Sequence, residues 1–187
     1  MPKSTYIAIL RGINVSGKNM VKMPALAAMF EQEGFENCRT YIQSGNVLFT
    51  FEETDEQELA AQITDAIANA FGYDVPVIVL KVDTMQSVFD KNPFLKAQKE
   101  DIADLYVTFL SESPALELVE KIDAQKYQPD QFVLEGNTIY IHCPQGYGRT
   151  KLNNNFFESK LKVAATTRNW KTVAELVRQG NELASQH

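Results

Sequence analysis

The residues best suited to binding chemistry follow the first predicted strand. Residues 12–19 match the phosphate-loop pattern GxxxxGK, and no acidic residue precedes Glu31. Glycine lets a backbone N–H approach a ligand closely, and basic side chains favour an anion. The stretch therefore predicts an anion-binding loop, with a solvated connector as the alternative. The candidate ligand-binding residues in it are Arg11, Gly12, Asn14, Lys18 and Asn19.

A nucleotide triphosphatase is a poor interpretation of this match. Asn19 stands where a serine or threonine would bind magnesium. The next helix is predicted to begin near Pro24, too late for its dipole to meet a phosphate held at Gly17. A phosphate loop also belongs to a parallel sheet, which a hairpin predicted at residues 39–51 excludes.

Two further polar clusters lie near the carboxyl end. Residues 145–155, QGYGRTKLNNN, lead into a predicted helix, so cations and first-turn N–H groups could face one anion. Capping of that helix by Thr150 or Asn153 is the alternative. Residues 166–170 hold the single tryptophan beside an arginine, although a tryptophan more often anchors a core. The candidates from both clusters are Arg149, Lys151, Asn153, Arg168 and Trp170.

Catalytic and metal-binding patterns are missing from the sequence. The histidines are His142, within a predicted strand, and His187, the last residue, and neither HExxH nor GxSxG occurs. Ser16 and Ser44 have no evident base. We therefore assign no catalytic residue, metal or cofactor, and enzyme activity stays an open question.

The elements that must position these loops repeat one plan. The hydrophobic pattern predicts strand, helix, hairpin, helix and strand over residues 5–81, and the plan restarts at residue 105. The hairpins YIQSGNVLF and FVLEGNTIY align with each other, which indicates an internal duplication. We predict an α+β fold of two tandem ferredoxin-like (split βαβ, αβ-plait) halves with antiparallel sheets and a C-terminal helix. The predicted domains are 1–95 and 96–187, with residues 96–101 as the linker.

This topology places the loop after the first strand beside the hairpin turn of the same half. Residues 11–18 should therefore lie next to three further candidates, Gln43, Ser44 and Asn46. Thr54 and Gln57 fit a capping box for a helix that ends at Gly72. In the second half, the pattern predicts a helix opened by residues 113–114, a helix over 152–161, a polar break over 166–169, and a terminal helix over 170–183.

The charge pattern bears on the partner. The net charge is −6, but acids are concentrated between residues 52 and 143, and both flanking segments are basic. Single-stranded RNA is the alternative ligand, because RNA-recognition domains of this topology stack bases on strand aromatics such as Tyr6, Tyr106, Phe49 and Phe51. The basic-Gly-aromatic signature of the third strand is missing in both halves, so nucleic acid is disfavoured. A third possibility is an interaction protein whose loops are purely structural.

Location follows from cysteines and hydropathy. Cys38 and Cys143 have no CxxC spacing, which suits reduced thiols. No stretch approaches the roughly 20 apolar residues of a membrane span, and no signal peptide is recognisable. We expect a cytoplasmic protein without a membrane partner, and the sequence predicts no oligomeric state.

Five stretches together resemble one family: YIAILRGINVSGKN, VKM, TYIQSGNVLF, GYGRTKLNNNFFESKL and ATTRNWKTV. The chain is similar to domain-of-unknown-function family 1697, a group of mostly bacterial proteins, over nearly its whole length. The resemblance implies a tandem αβ plait and no established activity. Ser16 departs from the family's usual glycine. The polar residues that the resemblance emphasises lead to the hypothesis of a site for a small anionic ligand, such as one that bears phosphate.

Overall fold

The computed structural model describes residues 1–96 and 101–186, which form two compact units. Unit 1 consists of Met1–Gln86 and Glu175–His187, and unit 2 of Ser87–Ala174. The predicted domains 1–95 and 96–187 stay a prediction. The units differ from them because the end of the C-terminal helix belongs to unit 1. Most of the predicted linker, residues 97–100, and the terminal His187 lie outside the described residues.

Unit 1 is built on a four-stranded antiparallel sheet in the order β2-β3-β1-β4. Its elements are β1 (Lys3–Leu10), α1 (Met23–Gln32), β2 (Glu36–Tyr41), β3 (Asn46–Glu52), α2 (Glu56–Phe71), β4 (Val77–Lys81) and the start of α3 (Val82–Asp90). One face of the sheet packs against α1 and α2. This core cluster includes Tyr6, Leu10, Leu26, Phe30, Phe49, Leu59 and Ile63, each fully buried.

The start of α2 differs from the predicted capping box. Its N-cap is Asp55, whose carboxylate accepts the N–H groups of Gln57 (2.8 Å) and Glu58 (3.2 Å). Thr54 lies outside the helix, where its N–H donates to the Tyr6 hydroxyl at 3.0 Å. An aspartate one residue closer to the first turn caps the same orphan donors, so it replaces the threonine. The helix does end at Gly72, which has φ 75° as a left-handed C-cap.

Unit 2 repeats the antiparallel sheet in the order β6-β7-β5-β8. After the end of α3, its elements are α4 (Pro93–Lys96), β5 (Leu105–Leu110), α5 (Leu116–Glu120), β6 (Gln131–Glu135), β7 (Thr138–His142), α6 (Asn154–Leu161), β8 (Ala165–Asn169) and α7 (Trp170–Ala184), which ends in unit 1. Short 3₁₀ turns occupy Ile102–Asp104, Ala124–Tyr127 and Tyr147–Arg149. The whole chain is therefore α+β, as predicted.

The polar break predicted over residues 166–169 is wrong, because these residues form most of β8. This strand pairs with β5, and Thr167 lies opposite Thr108. The side chains of Thr167 and Arg168 form hydrogen bonds with polar groups. Because these positions are polar, the sequence lacks the alternation of apolar residues by which a strand is recognised. The helix predicted to be opened by residues 113–114 has Ala115 as its N-cap and spans Leu116–Glu120.

Candidate functional site

The loop after β1 and the turn between β2 and β3 meet at one end of the unit 1 sheet. We call residues 11–22 and 42–46 the loop cluster. The Asn14 Nδ2 donates to the carbonyl oxygens of Val21 and Gln43, both at 2.9 Å, and its Oδ1 accepts the Val21 N–H at 2.8 Å. The predicted proximity of loop and turn is thus confirmed. Because both amide protons of Asn14 are bonded to backbone, its role here is to fasten the loop to the turn.

A small hairpin forms the tip of the β1–α1 loop. The Lys18 N–H donates to the Val15 carbonyl (2.9 Å), and the Asn14 N–H donates to the Asn19 carbonyl (3.1 Å). Ser16 and Gly17 between them have φ values of 51° and 74°, the positive pair that a type I′ turn requires. Ser16 thus takes a left-handed conformation that a glycine would adopt without strain.

The side chain of Asn19 closes the base of this hairpin. Its Nδ2 donates to the carbonyl oxygen of Gly12 at 3.1 Å. Gly12 itself has a φ of 72°, and a Cβ added to it would meet nothing within 4 Å. The glycine is thus required for backbone conformation and not for close packing.

The β2–β3 turn supplies the other wall of the cluster. Gly45 has φ 89°, and a Cβ there would lie 2.6 Å from Ile13 Cδ1 and 2.9 Å from Leu10 Cβ. The Asn46 side chain is fully buried and donates to the Tyr41 carbonyl at 2.9 Å and to the Ser44 hydroxyl at 3.2 Å. Asn46 and Gly45 therefore serve the turn, and neither presents a group to a ligand.

Positive charge remains at the surface of the loop cluster. Lys18 and Lys22 are exposed, and neither ammonium group has a hydrogen bond or ion pair with any residue that the structure describes. Arg11 is half-buried, and Gln43 is exposed. Because residues 11–30 include no acid, these cations have no carboxylate near them in the chain.

In unit 2, Asn153 is the N-cap of α6, since its Oδ1 accepts the Phe156 N–H at 3.0 Å. The Thr150 Oγ1 accepts the Leu152 N–H at 3.0 Å, but Leu152 precedes the helix. Capping, the alternative to ligand binding, is therefore confirmed for Asn153, whereas Thr150 stabilises the turn before the helix. Arg149 and Lys151 are exposed and make no side-chain hydrogen bond within the described part of the chain.

A chain of hydrogen bonds ties β5, β8 and α6 together. The Thr167 hydroxyl donates to Asn154 Oδ1 at 2.7 Å, so the 2.7 Å contact between the Thr108 and Thr167 hydroxyls has Thr108 as donor. We call these three residues the Thr–Thr–Asn chain. Thr108 was not singled out from the sequence, because a lone threonine in a strand carries no pattern, and Asn154 belonged to the polar cluster of residues 145–155 without being named a candidate.

Arg168 and Trp170 are parts of the unit 2 interior. An Arg168 guanidinium nitrogen donates to the Thr166 hydroxyl (3.0 Å) and to the Thr167 carbonyl (2.9 Å). Burial lowers the pKa of Arg168 to about 10, because desolvation disfavours the charged form. Trp170 is buried and stacks on Phe89 with ring centroids 5.0 Å apart. Both side chains are therefore placed for packing and not for contact with a ligand in solvent.

The two groups of candidates occupy opposite ends of their own sheets. The loop cluster lies where β1 ends and β3 begins, as the bond from the Leu10 N–H to the Gly45 carbonyl shows (2.9 Å). The loop before α6 lies where β5 begins, since the Tyr147 ring packs against the Tyr106 ring with centroids 4.9 Å apart and the Cys143 N–H donates to the Asp104 carbonyl at 2.8 Å. The difference follows from the antiparallel topology, because the loop cluster follows the first strand of its unit whereas the loop before α6 follows the third.

A family model described as a protein of unknown function (DUF1697) matches residues 3–140. The chain belongs to this family. The match ends before the motif residues Arg149 and Arg168, so it includes the loop cluster and not the later motifs. No curated protein matches the chain.

Among solved structures, the chain is similar to one titled as the conserved bacterial protein SP0830 from Streptococcus pneumoniae. The TM-score is 0.75 at 20% identity, over 96% of this chain and 99% of that one. A likeness at this identity shows a shared fold and carries no activity to this member of DUF1697.

Two of the four aromatic residues named for RNA binding lie in the core of this DUF1697 fold. Tyr6 and Phe49 are fully buried, stack on each other with ring centroids 5.6 Å apart, and belong to the core cluster beneath α1 and α2. Phe51 and Tyr106 are partly buried, and Tyr106 packs against Tyr147 in the corresponding cluster of unit 2. The buried rings of Tyr6 and Phe49 offer no platform for bases, which weakens the RNA-binding interpretation for the first half.

Neither a reactive thiol nor a metal-binding cluster is found among the described residues. Burial raises the pKa of the Cys38 thiol to about 12 and that of Cys143 to about 11, which makes both weak nucleophiles near neutral pH. Within residues 1–96 and 101–186, no group of three or more His, Cys, Asp or Glu could hold a metal ion. In the same ranges, none of the helices combines the length and apolar character of a transmembrane span.

Sequence reasoning missed one property of the loop cluster. Val15, Met20 and Ile42 are large apolar residues that remain exposed there. The signal was present as aliphatic residues inside a stretch of Gly, Asn and Lys, but exposure depends on tertiary packing and cannot be seen in the sequence.

Proposed function

We propose that this protein binds an anionic group through the loop cluster of unit 1. The supporting observation is that Lys18 and Lys22 are exposed and unpaired among the described residues, in a stretch without acids. Asn14 holds the loop to the turn through one hydrogen bond to Gln43 and spans the loop through two more to Val21, so the segment that carries the cations is ordered before binding. Pre-organisation of this kind reduces the entropy lost on association.

The size of these interactions limits the ligand. An exposed pair of opposite charges contributes about 0.2–1 kcal/mol, whereas a dissociation constant of about 1 mM already requires about 4 kcal/mol. Two lysines contribute at most about 2 kcal/mol on this scale, so inorganic phosphate held by them alone should bind with a dissociation constant well above about 1 mM. A ligand of physiological affinity needs several anionic groups or further contacts.

Titration with inorganic pyrophosphate, followed by ¹H–¹⁵N NMR shifts, tests this proposal. Shifts should be concentrated in residues 11–22, and the double variant Lys18→Ala/Lys22→Ala should lose them. The matched control is Lys160→Ala/Lys171→Ala, which removes two exposed lysines of unit 2 that are also unpaired among the described residues. Equal shifts in both double variants would show that the anion binds nonspecifically or elsewhere.

For the fold, we propose that each unit is a ferredoxin-like plait and that the two are tandem copies of one plan. The strand orders β2-β3-β1-β4 and β6-β7-β5-β8 support this, since both units order their strands in the same way. A cytoplasmic location also remains a proposal, based on the unpaired cysteines and the sequence composition.

A further inference from the structure

Three aliphatic side chains protrude from the loop cluster. Val15 is 57% exposed, Met20 58% and Ile42 44%. Each lies next in the chain to Asn14 or to a residue that is hydrogen-bonded to the Asn14 side chain, so the backbone positions of all three lie near Asn14. Exposed apolar residues are normal when scattered singly, whereas a group of them marks an interaction surface.

Ile42 also has an unusual backbone conformation. Its φ is 50°, in the left-handed region, where a β-branched residue is a genuine outlier. Strain of this kind persists only where the surrounding structure imposes it, and it is concentrated at binding sites. The bond from Asn14 to the neighbouring Gln43 carbonyl is part of what fixes the turn that carries Ile42.

We propose that the loop cluster is a docking surface for an acidic segment of a partner protein that also carries aliphatic side chains. This inference rests on the anion binding proposed above and adds the class of ligand. Lys18 and Lys22 complement carboxylates, while Val15, Met20 and Ile42 complement aliphatic groups. Apolar contacts supply the affinity that two exposed lysines lack.

The composition of the cluster disfavours nucleic acid as the occupant. Residues 11–22 and 42–46 contain no aromatic residue. Binding of single strands relies on bases stacked against aromatic rings, with the backbone held by cations. Aliphatic side chains instead match those of a polypeptide.

The charge of the whole chain disfavours an anionic bilayer. The net charge is −6, and the acids are concentrated between residues 52 and 143. A bilayer presents negative charge over a wide surface and repels other acidic parts of the molecule. A short acidic segment bound at the loop cluster is screened from the other charges of the protein beyond about 8 Å, the Debye length at physiological ionic strength. The acidic parts of the chain therefore repel it less than they repel a bilayer.

Fluorescence anisotropy with two labelled peptides of equal charge tests the inference on the full chain. One alternates glutamate with valine, and the other alternates glutamate with serine. The Glu–Val peptide should bind at least about tenfold more tightly, since burying one aliphatic side chain contributes about that factor. Val15→Ser/Met20→Ser should remove this preference and leave binding of the Glu–Ser peptide unchanged. Lys18→Ala/Lys22→Ala should weaken both peptides.

The matched control for the apolar variant is Leu116→Ser, which removes a side chain of unit 2 that is 75% exposed and should leave the preference intact. Equal binding of the two peptides to the native chain would overturn the inference and leave the anion proposal standing. If neither peptide binds and pyrophosphate causes no shifts, both proposals fail. Tighter binding to vesicles of equal parts phosphatidylserine and phosphatidylcholine than to the Glu–Val peptide would also overturn the inference.

Discussion

The loop cluster of unit 1 and the polar loop before α6 in unit 2 share a composition rich in Gly, Asn, Arg and Lys, but they differ in how the structure uses it. In unit 1, Asn14 fastens backbone segments and the lysines face solvent. In unit 2, Asn153 caps a helix, and the neighbouring strand buries Arg168. Amides in polar loops thus serve the fold in both units, and the exposed apolar group distinguishes unit 1.

The two hairpin glycines, Gly45 and Gly136, compare the two units at aligned positions and give the largest expected effect. Gly45→Ala places a methyl group against Ile13 and Leu10 at positive φ, whereas Gly136→Ala meets nothing within 4 Å at φ 61°. A left-handed alanine costs roughly 1–2 kcal/mol, and overpacking adds about 1–3 kcal/mol. We expect Gly45→Ala to lower the free energy of unfolding by roughly 2–5 kcal/mol. Gly136→Ala should lower it only by the roughly 1–2 kcal/mol of the left-handed conformation. Urea denaturation followed by circular dichroism measures both, and equal losses would contradict the close packing at Gly45.

Asn14, which joins the loop to the turn in unit 1, can be compared with Asn153, which caps α6 in unit 2. Asn14→Ala removes three hydrogen bonds of about 0.5–1.5 kcal/mol each, so we expect a loss of roughly 2–4 kcal/mol in unfolding free energy. Asn153→Ala removes an N-cap, typically about 1 kcal/mol. Asn14→Ala should also weaken pyrophosphate binding, which Asn153→Ala should not. A normal pyrophosphate titration in a folded Asn14→Ala protein would show that the ordered loop is not needed.

The smallest expected effect concerns the Thr–Thr–Asn chain of unit 2. Thr167→Val keeps the shape of the side chain and removes the hydroxyl that links Thr108 to Asn154. The loss should be about 1–2 kcal/mol, because two partly buried groups lose their partner. A double-mutant cycle with Thr108→Val measures the coupling. Additive losses would mean that the two hydroxyls act independently, and unchanged pyrophosphate binding is expected throughout.

Elements with strong hydrophobic periodicity could be predicted from the sequence. The strands around Ile7 and Leu48 and the helix over Glu56–Phe71 carry patterns that admit one interpretation. Their arrangement places the loop beside the turn, and the Asn14 bond to Gln43 confirms this. β8 was missed because its residues are polar and the hydrogen bonds of Thr167 go to Thr108 and Asn154, which lie 59 and 13 residues away in the chain.

The candidate site was predicted only in part. No acid lies near Lys18 and Lys22 in the sequence, so their availability for an anionic ligand could be predicted from the sequence. Asn14, Asn46 and Trp170 were candidates by residue type, yet each is engaged within the fold. A polar side chain binds a ligand or the protein according to which partners reach it, and long-range contacts decide that.

By itself, the sequence determined the α+β class and the acid-free basic stretch, since these depend on composition and local periodicity, and its quoted motifs determined the family. Only the tertiary structure decided that Gly45 abuts Ile13 while Gly136 is open, although both occupy the same place in aligned hairpins. Likewise it left Val15, Met20 and Ile42 exposed around Asn14. Exposure and close approach depend on residues far apart in the chain, whose distances no local pattern specifies.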